Sequence, residues 1–303
     1  MEPLADGVFA AIALPRGQAL CNSGIVDLGG ASLVFDAMLT PQAGAALARE
    51  AQRRTSRPVG LLVNSHYHGD HMRGNASVGA EHIVSTARVR ELIIERGAAH
   101  LASDVPEARR ELERLRSGEL AMDGVERDTY EGWFEAVLAT PADLEFRPPD
   151  LTFERELWVH GRRRSARIVS FGGGHSPSDV LLHLPDDGIV FCGDLVSVGF
   201  HPCLWDGNPD ELVRILRELS ALRVEQALPG HGPVSGPDSI DTMARYVTTL
   251  GRSAIAARGR GTSRDDFARL RPGPPFDRWH FAPLFEENAR FFYDRAAAAP
   301  ASA

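Results

Sequence analysis

The sequence predicts an α/β protein in which two β-sheets pack face to face and helices cover the outer faces. Each half of the 303-residue chain shows apolar strand patterns followed by helix patterns, which is what a layered sandwich requires. Hydrophobic residues make up 43% and charged residues 24% of the chain, as in ordinary globular proteins. Histidine and aspartate recur directly after predicted strands, where layered α/β folds place their functional sites.

The first part of the chain alternates strand and helix patterns. Apolar runs separated by turn residues predict strands at 7–14, 22–28, 31–39, 59–63 and 83–86. Pro41 favours the first turn of a helix that extends to about Arg54. A second helix is predicted from Ala87 to Arg96, with Gly97 ending it.

Residues 100–150 differ from the rest because they are charged and helical in pattern. Helices are predicted at 106–116 and 128–139. The segment interrupts the strand pattern between two groups of candidate site residues. We therefore expect a helical insertion that forms a lid over the site, with Trp133 and Phe134 as its apolar contacts.

Strand patterns resume after the insertion. They fall at 151–160, 165–171, 179–184, 189–192 and 225–228. The turn at 185–188 joins the third and fourth of these as a hairpin, and a helix is predicted at 208–222 with Asn208 as its cap. From Asp238 we expect a C-terminal helical extension with a loose alanine-rich tail, within a single domain that spans 1–303.

Charge and composition argue against nucleic acid and membranes as partners. The net charge is −8, and the densest basic cluster, Arg162 to Arg164, is interpreted as a solvated hairpin turn. No stretch approaches the roughly 20 apolar residues of a membrane span, and Glu2 and Asp6 replace the basic start of a secretory signal. We expect a cytoplasmic protein that acts on a small molecule, and the sequence also allows a homodimer.

Residues that serve other hydrolytic mechanisms are missing or unsuitably placed. All 33 basic residues are arginine, which excludes Schiff-base and lysine-base mechanisms. Cys21, Cys192 and Cys203 show no CxxC spacing, and Cys192 lies in an apolar run that favours a core position. The sequence also has no GxSxG motif of a serine hydrolase.

The strongest functional signal is the segment His66-x-His68-x-Asp70-His71. Residues two apart on an extended chain face the same way, so His66 and His68 can reach one ion. Gly69 lets the chain turn, which can aim Asp70 and His71 at a neighbouring point. Imidazole and carboxylate suit zinc and similar first-row ions, so the motif predicts metal binding rather than a solvated turn.

Three further residues occupy similar positions, each beside a glycine after a predicted strand. They are His175, Asp194 and His231. Glycine at these places allows the backbone to approach a ligand closely. With the first motif they give seven candidate ligands, enough for two ions about 3.5–4 Å apart.

These motifs resemble those of the metallo-β-lactamase superfamily, in the family's order, over residues from about 7 to 236. The resemblance implies a four-layer αβ/βα sandwich with the site at one sheet edge. The ligands it implies are His66, His68 and His175 for a first metal, Asp70, His71 and His231 for a second, and Asp194 as a bridge. Asp36 matches the family's first motif, which is usually structural.

The resemblance implies a hydrolase in which two metals share a water and make it a hydroxide at working pH. Asp70 is expected to orient this nucleophile and accept its proton. A small ester, thioester, lactone or lactam is the expected substrate, and Asp194 in place of cysteine argues against lactamases that bind the second metal with a thiolate. Predicted substrate contacts are Trp133, Phe134, Phe200, His201 and Trp205.

A second hypothesis comes from the same resemblance. Some family members are sulfur dioxygenases that hold one iron at the positions of His66, His175 and Asp194 and oxidise persulfides. The expected cofactor is therefore two zinc ions or other first-row divalent ions, with iron as the alternative. Two ions per chain favour the hydrolase, and a single iron favours the dioxygenase.

Overall fold

Two β-sheets pack face to face in the computed structural model, which describes residues 1–120, 122 and 124–298. Helices lie on both outer faces, so the predicted α/β sandwich is confirmed. The first sheet contains, in order, β1 (Glu2–Ala5), β2 (Val8–Ala11), β3 (Ser23–Asp27), β4 (Ser32–Phe35), β5 (Val59–Val63), β6 (His82–Thr86) and β7 (Leu151–Phe153). The strands from β1 to β4 are antiparallel, and those from β4 to β7 are parallel.

The second sheet is formed by later parts of the chain. Its strands are, in chain order, β8 (Glu156–His160), β9 (Ser165–Gly172), β10 (Asp179–Leu184), β11 (Ile189–Ser197) and β12 (Gln226–His231). The strands from β8 to β11 pair antiparallel, and β12 pairs parallel with β11. Parallel pairing requires a long crossover connection between these two strands. Here it contains the helix Pro209–Ser220, which packs against the second sheet.

The core between the sheets consists of aromatic and branched side chains. Phe35 of β4 meets Phe191 of β11 with ring centroids 5.8 Å apart. Gly24 of β3 makes room for this contact, because a Cβ atom there would lie 2.2 Å from the Phe191 ring. Burying a side chain of this size stabilises the fold by about 1.5–3 kcal/mol, so this pair anchors one sheet to the other.

The helices are α1 (Pro41–Thr55), α2 (Gly69–Met72), α3 (Asn75–Val78), α4 (Ala87–Ser117), α5 (Gly124–Ala139), α6 (Pro209–Ser220), α7 (Asp238–Gly259), α8 (Arg264–Ala268) and α9 (Ala282–Ala298). Two of them, α1 and α6, begin at the residues that the sequence predicts. Thr40 caps α1 by accepting from the Ala43 amide at 3.1 Å, and Asn208 caps α6 as predicted. Leu212, Ile215 and Leu219 of α6 are fully buried against the second sheet and α7.

The predicted end of a helix at Gly97 is wrong. The helix α4 runs without a break for 31 residues and contains both Gly97 and Pro106. Gly97 is there for packing, because a Cβ atom would lie 2.9 Å from the Phe146 ring. Pro106 removes one backbone hydrogen bond from α4, and the helix buries Leu101 and Ala108 on either side of it. Helices do fill much of the predicted insertion, up to Ala139.

The single strand predicted at 151–160 is also wrong. The chain forms β7 in the first sheet and then crosses at Glu154 and Arg155 to form β8 in the second sheet. Each strand finds its own partner, β6 for β7 and β9 for β8. β1 was not predicted from the sequence, because only Leu4 of its four residues is buried and no apolar pattern results.

Other predictions along the chain are confirmed with changed boundaries. The hairpin of β10 and β11 is present, but β11 continues to Ser197 and β12 continues to His231. The segment Arg162–Arg164 lies in the turn between β8 and β9, where Arg163 pairs with Asp27 at 2.8 Å. The extension from Asp238 contains the helices α7, α8 and α9 with loops between them, and the rest of the predicted tail lies outside the described residues. In the described part of the chain, no helix is long and apolar enough to cross a bilayer.

Candidate metal centre

Seven histidine and aspartate side chains converge at one edge of the sandwich. Two follow β5, two lie in α2, one follows β9, and two belong to β11 and β12. Their donor atoms form three overlapping groups, and within each group all atoms lie within 4.8 Å of one another. The groups are His66, His68 and His175; His66, His71 and Asp194; and Asp70, His71 and His231. All seven ligands expected from the sequence therefore meet in one place.

The spacing of these atoms fits metal ligands. His68 Nδ1 lies 3.1 Å from His175 Nε2, and His71 Nε2 lies 3.2 Å from Asp194 Oδ1. Tetrahedral ligands bound at 2.0–2.1 Å stand about 3.3 Å apart. His66 Nε2, His71 Nε2 and Asp194 Oδ1 are buried and lack a hydrogen-bond partner. Buried polar atoms without partners are costly, and a cation at this point would satisfy all three.

His71 is oriented by a carboxylate beneath the centre. Its Nδ1 lies 2.8 Å from Asp36 Oδ2, which leaves Nε2 for the centre. Asp36 is completely buried and also accepts from the Ser65 amide at 2.7 Å. Metal-binding histidines commonly donate their other ring N–H to a carboxylate, which fixes the tautomer and the ring orientation. The structural role expected for Asp36 is thus to hold His71.

His68 is held in the same way by a residue that the sequence did not single out. Asp206 Oδ2 lies 3.0 Å from His68 Nε2 and accepts from the Tyr67 hydroxyl at 2.8 Å. This leaves His68 Nδ1 to face the centre. Burial alone would raise the pKa of Asp206, but His68 and Tyr67 lower it below its usual value. Asp206 therefore stays ionised and can keep the ring in place.

The remaining ligands are positioned mainly by backbone groups. His231 Nδ1 lies 3.2 Å from the Leu20 carbonyl oxygen, so its Nε2 faces the centre. The Asp179 carboxylate accepts from the amides of Gly174 and His175 at 2.7 and 2.9 Å. Gly230 allows the closest approach, because a Cβ atom there would lie 1.8 Å from Asp194 Oδ1. The glycines that flank the ligands thus create space as well as flexibility.

The carboxylates of the centre lie beside histidines that favour their ionised form. Burial alone would raise the pKa of Asp70, but His71 and His231 hold it well below its usual value. Burial likewise opposes ionisation of Asp194, whose pKa is held well below its usual value by His231 and His71. Burial would also lower the pKa of His231, yet Asp194 and Asp70 raise it to about 10. Divalent cations would supply the positive charge that these carboxylates require.

A cavity of about 440 Å³ opens above the centre. Asp70, Asp194 and His231 form part of its wall. The insertion contributes His100 from α4 and Trp133 from α5. The two insertion helices therefore border the cavity as a lid would. This volume lies within the range of small-molecule sites.

The five predicted substrate contacts divide into two groups. Trp133, His201 and Trp205 line the cavity. Phe134 does not line the cavity. Neighbouring residues of a helix point about 100° apart, and the Phe134 ring packs on Tyr130 inside the insertion, with ring centroids 5.6 Å apart. Phe200 also lies away from the cavity wall and packs on Phe281 at 5.2 Å.

Sequence reasoning missed several polar residues of the cavity wall. Tyr67, Arg96, His100 and Asp206 all line the cavity. Tyr67 lies inside the first motif and could have been considered for that reason. Asp206 beside Gly207 repeats the pairing of aspartate and glycine seen at Asp194. Arg96 and His100 carry no such signal. Arg96 is the last residue of the predicted helix, and His100 lies beyond its predicted end.

The fold and the cluster of histidines and aspartates together are typical of metal-binding proteins of the two-sheet αβ/βα type. A family profile described as the Metallo-beta-lactamase superfamily matches residues 16–231. The chain therefore belongs to the metallo-β-lactamase superfamily, as its motifs predicted. The match ends at His231, before the helices α7 to α9.

Solved structures of similar proteins support the fold. A metallo-β-lactamase from Erythrobacter litoralis, with beta mercaptoethanol in the active site, is 18% identical with a TM-score of 0.59, over 82% of this chain and 95% of that chain. The enzyme from Hirschia baltica is 18% identical with a TM-score of 0.56, over 81% and 95%. FIM-1 from Pseudomonas aeruginosa, in a mono-zinc form, is 17% identical with a TM-score of 0.58, over 82% and 94%. No curated protein matches the sequence.

Proposed function

We propose that this protein is a metal-dependent hydrolase that cleaves a small ester, thioester, lactone or lactam. The observation that carries the proposal is the convergence of seven donor side chains at the wall of a small-molecule cavity. The superfamily of the chain supports it. The proposed site of action is the cytoplasm, and the proposed partner is the small-molecule substrate, with a homodimer as a further proposal.

The donor set fits two first-row divalent ions. His66, His68 and His175 would hold one ion, and Asp70, His71 and His231 the other. Asp194 lies within 3.5 Å of both sets, through His175 Nε2 on one side and His71 Nε2 and His231 Nε2 on the other. Zinc is the first metal to test, since FIM-1 has been crystallised in a mono-zinc form. Such ions supply a hydroxide nucleophile near neutral pH and polarise the scissile bond.

Asp70 is the residue proposed to handle the proton. Its carboxylate lies at the cavity wall, and its Oδ2 is 3.4 Å from both His71 Nε2 and His231 Nε2. These two histidines keep its pKa well below the usual value, against the effect of burial. The carboxylate is therefore ionised at neutral pH and can accept a hydrogen bond from an attacking water, and we propose that it also takes up the proton of that water.

The cavity wall around the centre contains both apolar and polar residues. Trp133, Phe281 and Leu284 offer apolar surface, which suits the carbon skeleton of a small ester or lactone. Tyr67 and Arg96 add a hydroxyl and a positive charge to the wall. Pockets of this kind bind through apolar contact and are oriented by a few polar groups.

The one-iron sulfur dioxygenase is the alternative that the closing experiment distinguishes from the hydrolase. That reaction would use only His66, His175 and Asp194, and it would leave Asp70 without a role. The variant Asp70→Asn should lower the kcat of ester or thioester hydrolysis by about 100-fold, as expected when a positioned proton acceptor is lost. Asp210→Asn is the matched control, because Asp210 is exposed in α6 and pairs with Arg295.

The assay combines elemental analysis with two activity measurements. Protein purified without added metal should contain about two first-row ions per chain and hydrolyse a panel of esters, thioesters, lactones and lactams. Oxygen uptake with a persulfide is measured on the same samples. One iron per chain, oxygen uptake with persulfide and an unaffected Asp70→Asn variant would contradict the hydrolase proposal.

A further inference from the structure

A chain of hydrogen bonds connects the C-terminal helices to the cavity wall. His201 Nδ1 lies 2.9 Å from the hydroxyl oxygen of Tyr246 in α7. Asn288 Nδ2 in α9 donates to the same hydroxyl at 3.4 Å. All three side chains are buried. Tyr246 and Asn288 lie beyond residue 231, so they come from a part of the chain that the family profile does not cover.

The orientation of the Asn288 amide is fixed by two backbone groups. The amide of Leu204 donates to Asn288 Oδ1 at 3.0 Å. Asn288 Nδ2 donates to the carbonyl oxygen of Pro202 at 2.7 Å. A backbone N–H can only donate and a carbonyl oxygen can only accept. The NH₂ group of Asn288 therefore points towards Tyr246, and the amide cannot be flipped without losing both bonds.

This orientation sets the direction of the next hydrogen bond. Because Asn288 donates to the Tyr246 oxygen, the hydroxyl proton must be used elsewhere. His201 Nδ1 is the one acceptor for it that the described residues record. A buried hydroxyl proton without an acceptor is costly. His201 Nδ1 is therefore unprotonated, and in a neutral imidazole the proton is then on Nε2.

The surroundings keep the His201 ring neutral. Burial, together with a smaller effect of the neighbouring His280, lowers the pKa of His201 to about 4. The same ring lines the cavity above the metal centre, together with Asp70 and Asp194. Since Nδ1 is directed at Tyr246, Nε2 is the ring nitrogen left for the cavity.

We propose that His201 presents a fixed Nε2–H donor to an acceptor oxygen of the bound substrate, such as the carbonyl oxygen of an ester or thioester. Tyr246 and Asn288 act as positioning residues that set its tautomer. The inference rests on the proposed hydrolase for the identity of the acceptor. A donor preorganised at the place where negative charge develops stabilises the transition state, so the C-terminal extension contributes to the chemistry through His201.

The first test reads the tautomer directly and needs no turnover. Protein labelled with ¹⁵N-histidine and loaded with zinc is examined by long-range ¹H–¹⁵N correlation NMR, and His201→Gln identifies the His201 signals. An unprotonated Nδ1 and a protonated Nε2 are expected throughout pH 6–8. A proton on Nδ1, or on both nitrogens, would overturn the proposal.

The second test uses sodium acetate as a carboxylate acceptor. Acetate should shift the Nε2 proton signal of His201 to lower field as it also perturbs the signals of the metal-binding histidines. Perturbation of those histidines with an unchanged His201 signal would overturn the proposal. Neither NMR measurement depends on hydrolysis, so the tautomer can be judged even if the proposed function fails.

The third test is a matched pair of variants assayed with p-nitrophenyl acetate. His201→Gln and His201→Met have similar volume, but only glutamine offers an N–H donor. We expect His201→Met to lower kcat by about 100-fold, the usual effect of losing one such donor, with unchanged zinc content and a KM near the wild-type value. His201→Gln should retain kcat to within about tenfold.

A packing role gives the opposite order, because His201 lies among the rings of Tyr246, Trp279 and Phe285. Methionine would then be tolerated at least as well as glutamine, and equal losses in the two variants would overturn the proposal. Tyr246→Phe should lower kcat in the wild-type background but not in the His201→Met background, because it acts through His201. Additive losses would show that Tyr246 acts independently of His201.

Discussion

Asp206→Asn should weaken the metal centre although Asp206 contributes no ligand atom. Its Oδ2 receives the Tyr67 hydroxyl at 2.8 Å and faces His68 Nε2 at 3.0 Å. Because Asp206 holds the His68 ring, Nδ1 of that ring lies 3.1 Å from His175 Nε2. Asparagine keeps the size and one carbonyl acceptor but removes the negative charge. A neutral acceptor forms weaker hydrogen bonds than a carboxylate, so His68 is held less firmly in its tautomer.

The expected size of the effect follows from these contacts. Loss of the carboxylate behind a metal-binding histidine costs about 10–100-fold in metal affinity, which is about 1.4–2.8 kcal/mol. The Asp206 side chain is 23% exposed, so water can replace part of the lost hydrogen bonding. We therefore expect a value nearer tenfold, confined to the ion that His68, His66 and His175 would hold.

The assay is a competition for zinc between the protein and a chromogenic chelator, with elemental analysis after dialysis. One of two ions should leave Asp206→Asn at a chelator concentration that leaves the wild type loaded. Asp210→Asn is again the control, because its side chain is 82% exposed and belongs to the segment that follows Asp206. Equal zinc affinity in Asp206→Asn and the wild type would refute the idea that Asp206 positions His68.

Further predictions concern the lid, the core, the metal and pH. Trp133→Ala should raise KM about tenfold, equivalent to about 1.4 kcal/mol of substrate binding, with unchanged zinc content. Phe134→Ala should instead lower the free energy of unfolding in urea by about 3–5 kcal/mol, because Phe134 lies in the insertion core. Equal effects of these two variants on KM would contradict this division. Chelation should lower Tm, and zinc at about 1,000 times its Kd should restore about 4 kcal/mol. Acidification from pH 6.5 to about 4 should destabilise the wild type more than His201→Gln. Burial lowers the pKa of His201 to about 4 in the folded state. Between pH 6.5 and about 4 the unfolded state therefore binds more protons than the folded state, and the stability decreases as the pH is lowered. Identical slopes of Tm against pH would count against this assignment.

The seven residues that converge at the candidate metal centre could be predicted from the sequence because they follow local rules. Four of them lie within six residues of one another, and His175, Asp194 and His231 each adjoin a glycine near the end of a strand. Neighbouring strands bring such positions to one sheet edge whatever the details of packing. The local signals therefore sufficed to predict which side chains converge.

The residues that orient these ligands were not readable in the same way. Asp206 and His68 are 138 positions apart in the sequence, and their contact depends on the path of the loop after β11. Asn288 reaches the cavity wall through Tyr246, and both lie in helices that the sequence predicted without specifying a face. Local pattern carries no information on such long-range pairs.

The errors in the elements have a similar origin. Gly97 is a helix-ending signal in isolation, but the contact with Phe146 makes glycine suitable within a continuous helix. The run 151–160 is one apolar-alternating segment in sequence, but each half pairs with a different sheet. In both cases tertiary packing overrides the local preference.

The crossing of the chain at Glu154 and Arg155 has a consequence for aggregation. It joins β7 and β8, which are edge strands of their sheets, and exposed edges are templates for pairing with another chain. β7 offers only three residues before the chain leaves its sheet. β8 presents Glu156, paired with Arg167 at 2.7 Å, on the same strand as the exposed Trp158. β7 is short, β8 carries a charged residue, and only two residues connect them. A strand of another chain therefore finds little free edge with which to pair.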